Sequence, residues 1–406
     1  MNFWPFSRKS NADGSVATSL DLFRLLQGSF GTSSGLEISS LKALEVNSVM
    51  ACARLIAEGL SQVPFQLYQQ SGINKNLATD HPLYDVLYRK PNGWQSSFEF
   101  REVMTMHAVL GGQAFAFINR RPDGSVGELI PLLPGSVEVI RMDDWTLKYR
   151  VTTPSGEQRL LESSAVWHWR GPSWDGVIGL NAVRLARESI GLAMATEKSH
   201  AIMHKNGSKV SGTYSVEGTL GKEGYESLTT WINKNFAGVE NAHKIMVLDR
   251  NAKFMPQTQS GIDSQHIETR KYQVEEICRA FRVYPVMVGY SDKAATYASA
   301  EQMFLAHVVY TLSPWYSRVE QSAEVQLLTD KERRDGYFVK FNAAGLMRGS
   351  HKDRSEYFAK ALGEGGGRGW MTQDEVRGLD ELNPMGGDAA TLPIPPQAGT
   401  GAQNGT

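Results

Sequence analysis

A chain of 406 residues, 41% hydrophobic and 21% charged, holds enough apolar material for two or three packed domains and has the balance of an ordinary globular protein. Its 42 lysines and arginines against 43 aspartates and glutamates leave a formal net charge of −1, which excludes the concentrated positive charge of a tight or sequence-specific duplex-DNA binder. The two cysteines, Cys52 and Cys278, both in helical patterns, provide no disulfide framework and suit a reducing cytoplasm. No stretch approaches the roughly 18 apolar residues of a membrane span, and Met1-Asn2-Phe3-Trp4-Pro5-Phe6 is too short and interrupted for a signal peptide.

Residues 1 to about 40 mix Ser, Gly, Asn and Thr with few apolar positions and read as a mobile arm, whose Arg8-Lys9 pair is too small for a nucleic-acid patch. Ala43, Val46, Val49, Met50, Ala53, Ile56, Ala57 and Leu60 recur at helical spacing and predict an amphipathic helix over 43–61, followed by a strand at 63–68. A second helix is predicted over about 96–110, after the Pro91-Asn92 turn.

From Gly112 to Trp169 the pattern becomes short alternating runs at 114–119, 137–140, 147–151 and 166–169. Pro122-Asp123-Gly124 and Pro154-Ser155-Gly156 are turn signals between them, so an antiparallel sheet packed on helices is expected. Trp167-His168-Trp169-Arg170 is aromatic and basic enough to stack on bases. Strand alternation explains it more simply, with both tryptophans buried on one face and His168 on the other.

A helix of roughly 26 residues is predicted from about Gly179 to Lys205, about 39 Å long, with Asn206-Gly207 as its stop. On it Glu197, His200 and His204 stand at spacings of three and four, which can bring a carboxylate and two imidazoles to one face for a metal. The order departs from the His-Glu-x-x-His arrangement of zinc proteases, and a solvated or inter-subunit helix face is the simpler reading. Beyond it a strand, a helix over about 222–236 and a strand at 244–248 are predicted.

In the next helix Ile267, Val274, Ile277 and Phe281 recur at spacings of seven, three and four, with Arg270, Lys271, Glu275, Glu276 and Arg279 between them. Pro285 removes a donor and biases Tyr284 away from helical angles, and Gly289 opens backbone angles closed to other residues, so the chain must turn there. A polar loop over 290–299 precedes another long helix, to about 328, expected to bend at Pro314. Smaller helices follow over 340–382. Gly363-Glu364-Gly365-Gly366-Gly367-Arg368-Gly369 lacks the preceding strand and the Gly-Lys-Ser/Thr ending of a phosphate loop, and Thr372-Gln373-Asp374-Glu375 fits a capping box. Asp143-Asp144 and Asp353 with Glu356 are isolated acidic pairs, the last two dozen residues lack the apolar content to fold alone, and no Ser-His-Asp signature or catalytic cysteine setting is evident.

Several runs carry a resemblance: Asp263-Ser264-Gln265-His266-Ile267-Glu268-Thr269-Arg270, Ile277-Cys278-Arg279-Ala280-Phe281-Arg282-Val283-Tyr284-Pro285-Val286-Met287-Val288-Gly289, and Tyr297-Ala298-Ser299-Ala300-Glu301-Gln302. With His81-Pro82-Leu83, Phe98-Glu99-Phe100-Arg101, Gly111-Gly112-Gln113-Ala114-Phe115-Ala116, Leu132-Leu133-Pro134, Asn206-Gly207-Ser208, Thr311-Leu312-Ser313-Pro314 and Glu375-Val376-Arg377, their order from about position 45 to 388 resembles the portal proteins of tailed double-stranded DNA bacteriophages, in the short family of roughly 400 residues. Tyr284 and Ala300 depart from the residues expected in relatives, which bears on loop detail.

The resemblance implies an α+β portal-type subunit. Its parts are a flexible arm (1–40), a mixed wing (41–178), a stem helix (179–205), a small α/β clip (206–261), a second stem helix (262–282), a tunnel-loop region (283–299), a long helix crossing the wing (300–339), a helical crown (340–385) and a disordered tail (386–406). It further implies a ring of twelve copies in the virion, at one capsid vertex, assembled in the host cytoplasm. DNA would pass without sequence specificity in packaging and ejection, and the terminase large subunit, the major capsid protein and a head-tail connector would be partners. Tyr290, Lys293 and Tyr297 would face the DNA, with Pro285 and Gly289 as loop hinges. Neither catalysis nor a cofactor is implied. The alternative is a metal-dependent hydrolase using Glu197, His200 and His204.

Overall fold

The computed structural model describes residues 30–72, 74–153, 155–205, 212–215, 221–236, 253–256, 262–290, 297–343, 351–364, 369–379 and 382–393. In chain order the elements begin with β1 (Phe30–Gly31), β2 (Glu37–Ile38), α1 (Ser40–Ala43), α2 (Asn47–Ser61), β3 (Phe65–Ser71), β4 (Asn74–Leu77), α3 (Pro82–Tyr88) and α4 (Ser97–Gly111). Six strands follow: β5 (Gln113–Arg120), β6 (Val126–Leu132), β7 (Val137–Arg141), β8 (Leu147–Thr152), β9 (Gln158–Glu162) and β10 (Val166–Arg170). Then come α5 (Ala182–Leu185), α6 (Arg187–Lys205), β11 (Gly212–Ser215), α7 (Lys222–Phe236), β12 (Lys253–Pro256) and α8 (Ile262–Phe281). The last are α9 (Tyr297–His307), α10 (Ser313–Gln326), α11 (Asp330–Arg334), β13 (Tyr337–Phe341), α12 (His351–Ala361) and α13 (Gln373–Leu379). Helices and antiparallel strands in these proportions make an α+β fold.

The main core forms around α2, whose Val49, Cys52, Ala53, Ile56 and Leu60 are all buried. Helix α4 lays Phe100, Met104 and Ala108 against it. The start of α4 is fixed by a capping box: the Ser96 hydroxyl accepts from the Glu99 amide, and the Glu99 carboxylate accepts from the Ser96 amide. Cys52 and Cys278 meet in this core as free thiols with their sulfurs 3.8 Å apart.

The expected single antiparallel sheet is two. One has the order β10-β5-β6 and the other β7-β8-β9. Strand alternation distributes β10 and β5 between two cores: Trp167 and Trp169, with Ala114 and Ala116 beside them, enter the main core. His168 and its register partner Phe115 face the other way, where Phe115 packs with Tyr149 and Val151 in a smaller core between the sheets. The tryptophans are each 1% exposed, so they pack and do not stack on bases. Burial, and then the charge of Arg170, push the His168 pKa down to about 3, so the ring is neutral; its Nδ1 lies 3.2 Å from the Tyr149 hydroxyl.

Two expectations need correction. The helix predicted from Gly179 begins only at Ala182, breaks at Ala186 and resumes as α6. Residues 171–180 form a non-helical loop closed on itself instead: the Gly171 amide donates to the Gly112 carbonyl (2.8 Å), the Leu180 amide donates to the Pro172 carbonyl (2.7 Å), and Ser173 pairs antiparallel with Gly179. A Cβ on Gly179 would lie 1.7 Å from the Gly112 oxygen, so only glycine fits.

The long helix expected to about 328 ends at Gln326, near that bound, and α11 and β13 occupy the remainder of the 300–339 part. Thr329 and Glu332 form a capping box for α11. Gly336, at φ +85°, then turns the chain so that β13 pairs with β3, Phe341 opposite Phe65. Finally, the adjustment to Pro314 is a π-helical turn at Val308–Leu312, with Pro314 in the first turn of α10. A proline there lacks an amide for the carbonyl four residues back and its ring collides with it; one wider turn absorbs both problems.

Elsewhere β11 pairs antiparallel with β12, Thr213 opposite Met255, and α7 lies between them in sequence. The strand predicted at 244–248 lies outside the described residues. The Thr372 box is present, the Thr372 hydroxyl accepting from the Glu375 amide (3.1 Å) and the Glu375 carboxylate from the Thr372 amide (2.8 Å). No helix among the described residues is long and apolar enough to cross a membrane.

Candidate functional site

The sequence singles out the end of α8 and the turn after it, and these are built with unusual care. Helix α8 packs along α6, where the Gln273 side-chain amide lies 3.4 Å from the Thr196 hydroxyl. It ends in a Schellman arrangement: the Val283 amide donates to the Cys278 carbonyl (2.9 Å) and the Arg282 amide to the Arg279 carbonyl (3.1 Å). Arg282 occupies the left-handed position of that motif, φ +57°, where glycine is usual, a conformation that costs an ordinary residue about 1 kcal/mol.

Tyr284 is extended, Pro285 opens a 3-10 turn to Val288, and Gly289 closes it at φ +81°. The Tyr290 amide returns to the Pro285 carbonyl at 3.1 Å. The turn therefore falls where proline and glycine require it. Tyr290 is half-buried against this turn. Lys293 lies outside the described residues. Tyr297 opens α9, and its side chain is likewise outside the description.

The π-turn and the main core hold this junction from behind. The Thr311 hydroxyl donates to the Arg282 carbonyl (2.7 Å) and the Tyr316 hydroxyl to the Gly59 carbonyl of α2 (2.8 Å). Gly59 allows the π-turn to close on α2, because a Cβ there would lie 2.8 Å from a Leu312 methyl. His307, 2% exposed, has its pKa pushed down to about 4 by burial and is neutral.

Beside Arg282 runs a cavity of about 560 Å³. Its floor is Ile56, Val109 and Phe281, and its rim carries Leu185, Arg282 and Arg318. Arg318 sits 5.5 Å over the Trp315 ring, and burial and then the charge of Arg282 lower its pKa. Sequence reading missed Arg282, Thr311 and Arg318. The one legible signal was an arginine standing where a helix runs into Val-Tyr-Pro.

Glu197 and His200 both lie on α6, Glu197 exposed and His200 half-buried, while the His204 side chain is outside the description. Among the described residues, no group of three or more His, Cys, Asp or Glu side chains is placed to hold a metal ion.

Comparison with known proteins gives the class directly. A family model described as phage portal protein matches residues 47–381. The portal protein of Enterobacteria phage HK97 is 30% identical over 357 residues, covering 87% of this chain and 82% of that protein. The probable portal protein of Streptomyces phage phiC31 is 29% identical over 364 residues, covering 87% and 78%. Among solved structures, a chain in the neck of a native gene transfer agent particle, computed with C12 symmetry, superposes with a TM-score of 0.60 at 22% identity over 85% of this chain and 94% of that one. An HK97-family portal protein from Corynebacterium diphtheriae gives 0.56 at 14% identity over 76% and 96%. The fold is thus shared with portal and particle-neck proteins, and the chain belongs to the phage portal protein family.

Proposed function

We propose that this portal protein works as a closed ring of identical subunits, twelve in the virion, at one capsid vertex, through which DNA enters during packaging and leaves during ejection. The family match over residues 47–381 carries the reading. In it α6 and α8 are the stem, residues 206–261 the clip that meets the terminase large subunit and connector proteins, residues 41–178 the wing against the capsid protein, and residues 340–385 the crown. The chain does no covalent chemistry. It supplies a shaped hole and docking surfaces, and ATP hydrolysis elsewhere supplies the work.

Near-zero net charge suits this role, because each phosphate neutralised by a fixed cation would retard a sliding duplex. Exposed apolar side chains suit ring closure by head-to-tail contacts: Trp174 is 94% exposed, and Leu185, Phe304 and Tyr310 are also open to solvent. In the loop, Tyr290, Lys293 and Tyr297 face the DNA, with Pro285 and Gly289 as hinges. One lysine per subunit grips weakly, and a ring of them lets successive subunits touch successive phosphates. Lys293→Ala tests this: rings are expected to assemble normally and to package DNA less efficiently, and unchanged packaging removes Lys293 from the DNA-facing set.

A further inference from the structure

The cavity beside Arg282 has a chemistry that the fold alone does not use. The Schellman position would cost less with glycine, and here an arginine is held there with its side chain exposed. Arg318, half-buried, lines the same cavity, and burial and then the charge of Arg282 lower its pKa. Among the described residues no carboxylate pairs with either guanidinium. Glu276, also at the cavity, is paired with Arg279, as is Glu275. Among the described residues, then, two cations without a carboxylate partner overhang an apolar floor, and exposed Leu180 and Leu185 continue that apolar surface outward.

A ligand matching this site needs a carboxylate or other anion for the two guanidiniums and an apolar group for the floor. A DNA backbone offers the anion without the apolar group. A protein segment with a carboxylate next to a large apolar side chain offers both, and arginine is the cation favoured at buried subunit contacts. We propose that the Arg282–Arg318 cavity is the socket into which the neighbouring copy of this chain inserts an acidic, apolar segment as the ring closes. The proposal rests on the ring reading above. It also places the subunit contact on the residue immediately before the Val283-Tyr284-Pro285 hinge, so that ring closure bears on the base of the loop.

Arg282→Gly and Arg318→Met, separately and together, test it. Each protein is purified, diluted in series and weighed by mass photometry, with its melting temperature and its duplex-DNA affinity at several salt concentrations measured alongside. Arg282→Gly is expected to weaken subunit association about ten- to a hundredfold, yet to melt at or above the wild-type temperature when both are compared at a dilution that dissociates them, because glycine relaxes the left-handed position. Arg318→Met is expected to weaken it similarly, and the double variant by less than the product, since both cations meet one partner. Wild-type ring stability in both single variants overturns the socket. So does unchanged ring stability with weaker, less salt-dependent DNA binding, which assigns the cations to DNA. A wild-type chain that forms no ring in the same series overturns the ring reading itself and the socket with it.

Discussion

Gly179→Ala attacks the joint that sets where the long α5–α6 segment leaves the sheet. An added Cβ would sit 1.7 Å from the Gly112 oxygen and 3.2 Å from the Gly171 nitrogen, both backbone atoms that cannot rotate aside. Residues 171–180 must move away. The Gly171 bond to Gly112, the Leu180 bond to Pro172 and the Ser173–Gly179 bridge then fail together. At about 1 kcal/mol net for each of these two hydrogen bonds, the loss is about 2 kcal/mol. Gly221→Ala is the matched control, because nothing lies within 4 Å of its Cβ position. In denaturant titrations followed by tryptophan fluorescence, Gly179→Ala is expected to unfold at clearly lower denaturant, and Gly221→Ala at the wild-type midpoint. A Gly179→Ala midpoint equal to wild type would refute the claim that this close backbone approach, rather than helix propensity, fixes the helix start.

Tyr316→Phe removes the hydroxyl that donates to the Gly59 carbonyl and is expected to cost about 1 kcal/mol, read from the same titrations; no change would mean the π-turn is anchored by packing alone. Stability should fall in mild acid. Buried His168 and His307 have folded pKa values near 3 and 4, below the roughly 6.5 of an unfolded imidazole, so the unfolded chain binds protons first and stability held above about pH 6.5 is lost as pH falls towards 4. Each site is expected to lose about 2 kcal/mol by about pH 5, and a His307→Phe variant should show a shallower decline between about pH 7 and 5; equal slopes would remove His307 from that account.

The elements most legible in the sequence were those whose periodicity is local. Helix α2 and helix α4 repeat apolar residues at helical spacing and appear within a few residues of their expected bounds. The β10 alternation correctly assigned Trp167 and Trp169 to a core, although it did not show that His168 would be buried on the opposite face as well. Strand β6 was missed because Gly127, Glu128 and Pro131 disguise it, and it tolerates them as the edge of its sheet. Strand β13 is short and pairs with a partner more than two hundred residues away in sequence, a pairing no local pattern announces.

Gly179 looked like the start of a helix because the carbonyl that forbids a side chain there belongs to Gly112, far off in the chain. At the candidate site, the proline and glycine of the hinge were readable because their effects on the backbone are intrinsic. Arg282 and Arg318 were not, since their importance comes from sharing one cavity and from a left-handed angle that depends on where α8 ends.

The most direct test of the portal reading is the mass and shape of the purified full-length protein, by light scattering on a sizing column followed by electron-microscope imaging of the same peak. The account expects a closed ring of about a dozen 44.9 kDa subunits around a central hole wide enough for duplex DNA. A particle of one or two subunits that persists at high protein concentration would contradict it.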